Sequence, residues 1–201
     1  MAKKLSFSDY DAAIDEAKKC ISSDGVLVYP TDTLYGLGCD ALSKKAVEKI
    51  YSIKKRDSGK PLSIIVSDYA MLRKYCNVDA KQERIMHSLL PGPYTFILGL
   101  KKPMPATPTM QVGVRVPEHV FMRHISKELG IPIVTTSANI SGKKDIVSIS
   151  DMEKSISNSV DLIIDDGKCH YAQGSTVIDL ISMKVVRKGA VRAGDKFEWE
   201  Q

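Results

Sequence analysis

An open α/β fold is what this sequence predicts, and three observations predict it. Short β-rich apolar runs alternate along the chain with segments whose apolar residues recur at helical spacing. Two of the apolar runs, Val26 to Tyr29 and Ile131 to Val134, pass straight into clusters of hydroxyl and amide side chains, and open α/β sheets take ligands in the crevice beyond strand ends. No Pro/Gly/Ser-rich linker and no internal repeat divides the 201 residues, so one domain around one large core is expected.

Composition narrows the class. A hydrophobic fraction of 43% with 26% charged residues is that of a soluble globular protein, and no apolar run approaches the ~18 residues of a membrane span. Met1 to Ser8 carry two lysines with no apolar segment behind them, so a signal peptide is not expected, and a cytoplasmic location without a membrane partner is. A net charge of +5 favours an anionic partner, whether nucleotide, phosphate or RNA. Cys20, Cys39, Cys76 and Cys169 lack CxxC spacing and the histidines lack that of a helical pair; buried thiols are expected, without a zinc site or a disulfide framework.

In chain order, Ser8 is the expected N-cap of a helix carrying Tyr10, Ala13, Ile14, Ala17 and Ile21. Asp24-Gly25 turns the chain into the strand Val26 to Tyr29, which Pro30 ends for want of an N–H. The loop beyond crowds Thr31, Asp32, Thr33 and Tyr35 together, and Gly36 and Gly38 are expected to free the backbone for close approach to a ligand. Ser43 caps a second helix with Val47, Ile50 and Tyr51 inside. Its end delivers Lys54, Lys55 and Arg56, with Lys60 just beyond. Cations suit a helix C-terminus for electrostatic reasons alone. The buried strand Pro61 to Val66, however, would fix Lys60 at a sheet edge, where Lys and Arg clamp a polyphosphate.

Residues 68–76 and 79–90 read as scaffold helices; Pro91-Gly92-Pro93 stops the second, and Tyr94 to Leu100 is a strand. Lys101 to Met110, with three prolines, reads as an extended mobile loop, either a lid or an inert connection. Val112, Val114 and Val116 alternate with Gly113 and Arg115, so one face of that strand is core and the other sets an arginine beside a missing side chain, a place for a carboxylate or phosphate. A helix from Val120 to Leu129 ends at Gly130, and the strand after it breaks into Thr135-Thr136-Ser137-Ala138-Asn139. A helix from about Ser150 to Val160 precedes the strand Leu162 to Ile164 and Asp165-Asp166-Gly167, which suits a turn better than Mg²⁺. Gly174 to Leu180 and Met183 to Arg187 form a hairpin that brings Ser175 and Arg187 together.

Two nucleotide motifs are excluded. Gly36-Leu37-Gly38-Cys39-Asp40-Ala41 matches G-x-G-x-x-A, but six residues separate it from the strand, and the acidic residue due ~20 positions later is replaced by a basic one. Ser58-Gly59-Lys60-Pro61 lacks the first glycine and the final Ser/Thr of a Walker A loop.

Pro-Thr-Asp-Thr-Leu-Tyr-Gly-Leu-Gly from Pro30, Lys-x-Arg at Lys54 and Arg56, Ser-x-Asn at Ser137 and Asn139, Gly-Ser-Thr-Val-Ile-Asp from Gly174 and Val-Arg-x-Gly-Ala ending at Ala190 together resemble the YrdC-like threonylcarbamoyl-adenylate synthases. The resemblance covers residues 8–192 and leaves 193–201 as a C-terminal tail, with no room for the extra domain some relatives have. It implies a twisted mixed parallel/antiparallel sheet flanked by helices around an open, concave, basic site. It also implies synthesis of L-threonylcarbamoyl-adenylate from L-threonine, bicarbonate and ATP with release of pyrophosphate. A protein partner then transfers the threonylcarbamoyl group to the tRNA adenosine next to the anticodon. By the resemblance, Thr33, Arg115, Thr135 and Ser175 surround threonine, with Arg115 on its carboxylate. Lys54, Arg56, Lys60, Ser137, Asn139 and Arg187 face ATP, whose phosphates carry Mg²⁺, Lys54 and Arg56 acting in catalysis; Asp145 borders the nucleotide. No metal is held by protein ligands. Tyr94 stands where the family usually has leucine, as in a paralogous branch, but the intact Lys-x-Arg and Ser-x-Asn favour the synthase. The alternatives are a protein whose basic concavity binds double-stranded RNA or tRNA, and a paralogue acting on another carbamoyl compound.

Overall fold

The computed structural model describes residues 2–195; Met1 and residues 196–201, the end of the expected tail, lie outside the described residues. The chain opens with a strand the sequence reading did not contain, β1 (Lys3–Ser6), followed by α1 (Tyr10–Ser22). Asp9 rather than Ser8 stands at the N-cap, because the Ser8 hydroxyl pairs with Ser6 at 2.8 Å. Next come β2 (Leu27–Tyr29), β3 (Gly36–Gly38) and α2 (Lys44–Lys54), whose Ser43 cap accepts from the Ala46 N–H. β4 (Ser63–Ile65), α3 (Tyr69–Tyr75), β5 (Cys76–Asn77) and α4 (Ala80–Leu89) follow, both helices capped by an aspartate. The second half holds β6 (Tyr94–Leu100), β7 (Gln111–Arg115), α5 (Val120–Leu129), β8 (Ile133–Ser137), α6 (Lys154–Ser157), β9 (Leu162–Asp165) and the hairpin of β10 (Thr176–Asp179) and β11 (Lys184–Arg187).

Two further local expectations fail. The strand entering Thr135 does not break there but runs on to Ser137, since β-branched threonines suit a ladder as well as a turn. The helix expected over 150–160 shrinks to a 3₁₀ turn at Ile149–Asp151 and the single turn of α6. Serine hydroxyls there bond nearby carbonyls, Ser157 to Lys154 at 3.1 Å and Ser159 to Ser155 at 2.7 Å, and so compete with a continuing helix.

The strands form one mixed sheet in the order β1-β9-β2-β3-β8-β4-β7-β6-β10-β11, with β5 beside β6. Side-chain parity divides its two faces. Val26, Val28, Ile64, Val134 and Ile163 point into the larger core, which α2, α3 and α4 cover. Leu27, Tyr29, Ile65, Ile133, Leu162 and Ile164 point the other way, against α1 and α5. Those two helices pack on each other, α1 also on β1, β2 and β9 and α5 on β4, so they cover only one part of their face.

Candidate active site

The rest of that face is the floor of a cleft of about 270 Å³. Register sets its residues abreast, Val177 beside Thr95, Ile97 beside Gly113, Ser63 beside Thr135 and Gly36 beside Ser137. Thr135 lies two residues beyond Ile133 and Ser63 two before Ile65, so one sheet face turns from apolar to polar where the helices stop. The cleft therefore crosses the sheet, and does not lie beyond the strand ends as expected. That rule belongs to parallel sheets covered on both faces, whereas here the antiparallel pairs β3–β8, β8–β4 and β7–β6, joined by the parallel pair β4–β7, leave part of a face open.

Arg115 is held rigidly at this floor. It is 8% exposed, and its Nη2 donates to Asp32 Oδ1 and Thr33 Oγ1, both at 2.9 Å. The second Asp32 oxygen accepts from the Glu118 N–H at 3.1 Å, so this carboxylate fixes the arginine from behind. Thr31 closes the loop as a hydroxyl-backbone turn, donating to the Leu34 carbonyl at 2.7 Å. Arg115 Nε and Arg56 Nε are two of the four buried polar side-chain atoms without a partner among the described residues, and both arginines line the cleft. Buried donors left unsatisfied are costly, and an anionic ligand is what would complete them.

The hairpin brings Ser175 and Arg187 together: Arg187 Nε and Nη2 donate to the Ser175 carbonyl at 3.2 and 2.9 Å, and Ser175 Oγ lies 2.7 Å from Thr95 Oγ1. Burial lowers the Arg187 pKa; Asp145 opposes the shift and Arg115 adds to it. Among the described residues, three arginines, Arg56, Arg115 and Arg187, and a single carboxylate, Asp145, are the charged residues lining the cleft.

Of the eleven predicted site residues, eight line it: Thr33, Arg56, Arg115, Thr135, Ser137, Asp145, Ser175 and Arg187. Lys54, Asn139 and Lys60 do not. Lys54 is 1% exposed, and its Nζ donates to the Ser137 carbonyl at 2.5 Å, the Asn139 carbonyl at 2.7 Å and Asn139 Oδ1 at 3.2 Å, which uses all three ammonium hydrogens. Burial, aided by Arg56 and opposed by Asp145, pushes its pKa down to about 8. Asn139 is committed in turn: its Oδ1 also accepts from Ser137 Oγ at 2.6 Å, and its Nδ2 donates to the Lys143 carbonyl at 2.6 Å and to Asp145 Oδ1 at 3.3 Å. Lys60 is exposed, and its backbone carries its hydrogen bonds: the N–H donates to the Asp57 carbonyl at 3.0 Å and the carbonyl accepts from the Tyr51 hydroxyl at 2.9 Å. The strand after it begins at Ser63, too late to hold Lys60 at the sheet.

Other expectations change as well. The 101–110 connection is no lid: Met104, Ala106 and Thr107 are buried, and the Ala106 carbonyl accepts from the Leu62 N–H at 2.8 Å. Gly36 and Gly38 make room for the ring of Tyr29: a Cβ would fall 2.8 Å from its Cζ at Gly36 and 2.6 Å from its Cε1 at Gly38. Gly38→Ala is therefore expected to destabilise the fold by about 1–3 kcal/mol in urea unfolding, as an overpacked core does. Sequence reasoning missed Thr95 and Ser63 on the floor and the bracing role of Asp32; alternation of small polar residues with apolar ones along β4 and β6 was the signal for the first two. No cysteine or histidine is among the residues described as lining the cleft. Burial pushes Cys20 and Cys76 up to about 12 and Cys169 to about 11, which suppresses their thiolates.

A mixed sheet carrying an arginine-rich, hydroxyl-lined cleft without a Cys or His nucleophile defines a protein that handles small anionic substrates by positioning and charge. The chain belongs to the Sua5/YciO/YrdC family, whose model, described as telomere recombination, matches residues 19–189. It is 37% identical to a protein of Methanocaldococcus jannaschii named putative threonylcarbamoyl-AMP synthase, covering 94% of this chain and 91% of that one. It is 33% identical to the threonylcarbamoyl-AMP synthase of Pseudoalteromonas translucida, over 88% and 97%. Among solved structures it resembles E. coli YciO (TM-score 0.85, 30% identity, 96% and 98% covered). It also resembles P. abyssi Sua5 complexed with L-threonine (TM-score 0.85, 28% identity), over 94% of this chain and 57% of that one.

Proposed function

We infer that this chain is an L-threonylcarbamoyl-adenylate synthase, which joins L-threonine, bicarbonate and ATP and releases pyrophosphate, for threonylcarbamoyl modification of tRNA. The observation that carries the reading is a single cleft lined by a braced arginine among hydroxyls, Arg115 with Thr33 and Thr135, and by a second basic group, Arg56 and Arg187 with Ser137. The first suits an amino-acid carboxylate and the second a polyphosphate. The threonine amine and bicarbonate give a carbamate and water. A carbamate oxygen then attacks the α-phosphorus, and the bond to pyrophosphate breaks. No protein nucleophile is needed, so the residues bind, orient and offset charge.

In this reading Arg115, Thr33, Thr135 and Ser175 hold threonine, while Arg56, Ser137, Arg187 and Asp145 face ATP. Lys54 and Asn139 act from beneath by fixing the Ser137 segment, and Lys60 stays outside. Among the described residues no group of three or more His, Cys, Asp or Glu side chains is placed to hold a metal. The donor set therefore fits Mg²⁺ carried on the ATP phosphates, which it would partly neutralise, with Asp145 the carboxylate on offer to its water shell. Residues 8–192 form the synthase domain, and a cytoplasmic protein partner passes the product to tRNA.

Pyrophosphate release from purified protein with ATP, Mg²⁺ and bicarbonate tests the reading. Release is expected with threonine, less with serine and none without an amino acid. A folded protein that binds RNA and releases no pyrophosphate would overturn it in favour of an RNA-binding role.

A further inference from the structure

Tyr29 is wholly buried, and its ring lies across Gly36 and Gly38 of the neighbouring antiparallel strand, its cross-strand partner being Gly36. A phenylalanine would fill that space equally well, so packing does not account for the hydroxyl. The hydroxyl lies 2.7 Å from Thr135 Oγ1, on the cleft floor. Each of these two groups is, among the described residues, the other's only side-chain hydrogen-bond partner. If Thr135 donated to Tyr29, the phenolic O–H would be buried without an acceptor, an expensive arrangement. Tyr29 therefore donates, and burial, which raises its pKa, keeps the proton on the phenol at neutral pH. The Thr135 hydrogen is left for an acceptor in the cleft.

We propose that Tyr29 is a positioning residue that orients the Thr135 hydroxyl as a donor toward a substrate oxygen, and so sets affinity for the amino-acid substrate. It rests on the reading above, in which Thr135 borders threonine. Tyr29 itself touches no substrate, and its whole effect passes through Thr135. Neither the strand–loop motif nor the glycine pair pointed to this; the two residues are 106 positions apart.

The test is calorimetric titration of L-threonine into wild-type protein, Tyr29→Phe, Thr135→Val and the double variant, with steady-state kinetics of each. Tyr29→Phe is expected to weaken threonine about fivefold, in Kd and KM alike, leaving kcat and the KM for ATP within twofold. In the Thr135→Val background the same change is expected to do nothing further. Thr135→Ser, which keeps the oxygen that accepts from Tyr29, is expected to lose less threonine affinity than Thr135→Val. It also tests the proposal should Tyr29→Phe fail to fold, since a loss by serine as large as that by valine would overturn it. Wild-type binding matched by Tyr29→Phe, or an equal further loss in the double variant, would overturn the proposal alone. Wild-type protein that binds no threonine would overturn the functional reading and this inference with it.

Discussion

Arg115→Ala is expected to lower threonine-dependent kcat/KM by about a hundredfold, with the KM for ATP almost unchanged, because losing one partner of a desolvated charge pair costs roughly 2–5 kcal/mol. The pair in question is the guanidinium and the substrate carboxylate, and the arginine is already held in place by Asp32 and Thr33 at 2.9 Å. Arg115→Lys keeps the charge but loses the planar fork, so most of the loss should persist. A second consequence follows for the fold. Asp32 is 5% exposed, and without Arg115 its carboxylate keeps only the Glu118 N–H. Stability should fall by about 3 kcal/mol, and Asp32→Asn in the same background should restore part of it. Threonine titrations at saturating ATP and urea unfolding read the two effects. An equal rise in both KM values in a folded variant would refute the division of the cleft.

Lys54→Met is expected to have the second largest effect, on the ATP side. The variant keeps the buried stem and removes three donors, leaving the carbonyls of Ser137 and Asn139 and Asn139 Oδ1 short of a partner. Two to three such losses at roughly 1 kcal/mol each imply destabilisation of about 2–3 kcal/mol. The KM for ATP should rise more than tenfold as the Ser137 segment loosens, while threonine affinity changes little. The pH dependence separates this role from simple packing. With its pKa pushed down to about 8, Lys54 loses its charge above pH 8 in the folded protein, so ATP use should decline on an alkaline limb near that value. The variant should lack this limb. For stability the sign is opposite: between pH 8 and the unfolded value of 10.5 the unfolded chain binds more protons, so this group alone makes folding more favourable as pH rises through that window. Denaturant midpoints for wild type and variant, already apart at pH 7, should therefore move further apart between pH 8 and 10.

Much of the local structure was legible in the residues. Ser43, Asp68 and Asp79 cap the helices they were expected to cap or begin, Gly130 closes α5, and Tyr94 to Leu100 is the strand its composition demands. The hairpin that joins Ser175 to Arg187 needed only two β-rich runs and a short turn. Seven of the eight cleft residues were identifiable because each sits in a short stretch with its own chemical signature, while Asp145 came only with the family resemblance. The helix expected over 150–160 does not form as one element because serines there bond their own backbone.

The sequence by itself determined which residues alternate between the two faces of each strand, where most of the helices start and stop, and which polar groups cluster. Tertiary structure alone decided which part of a face stays uncovered, because that depends on strand order and on where α1 and α5 land, and local periodicity encodes neither. It also decided that Lys54 lies beneath the cleft, that Asp32 braces Arg115, and that Tyr29 reaches Thr135. Each of these contacts joins residues more than eighty positions apart. Burial and hydrogen-bond partnership over such separations are properties of the packed chain, so the motif residues could be found in the sequence while their roles could not.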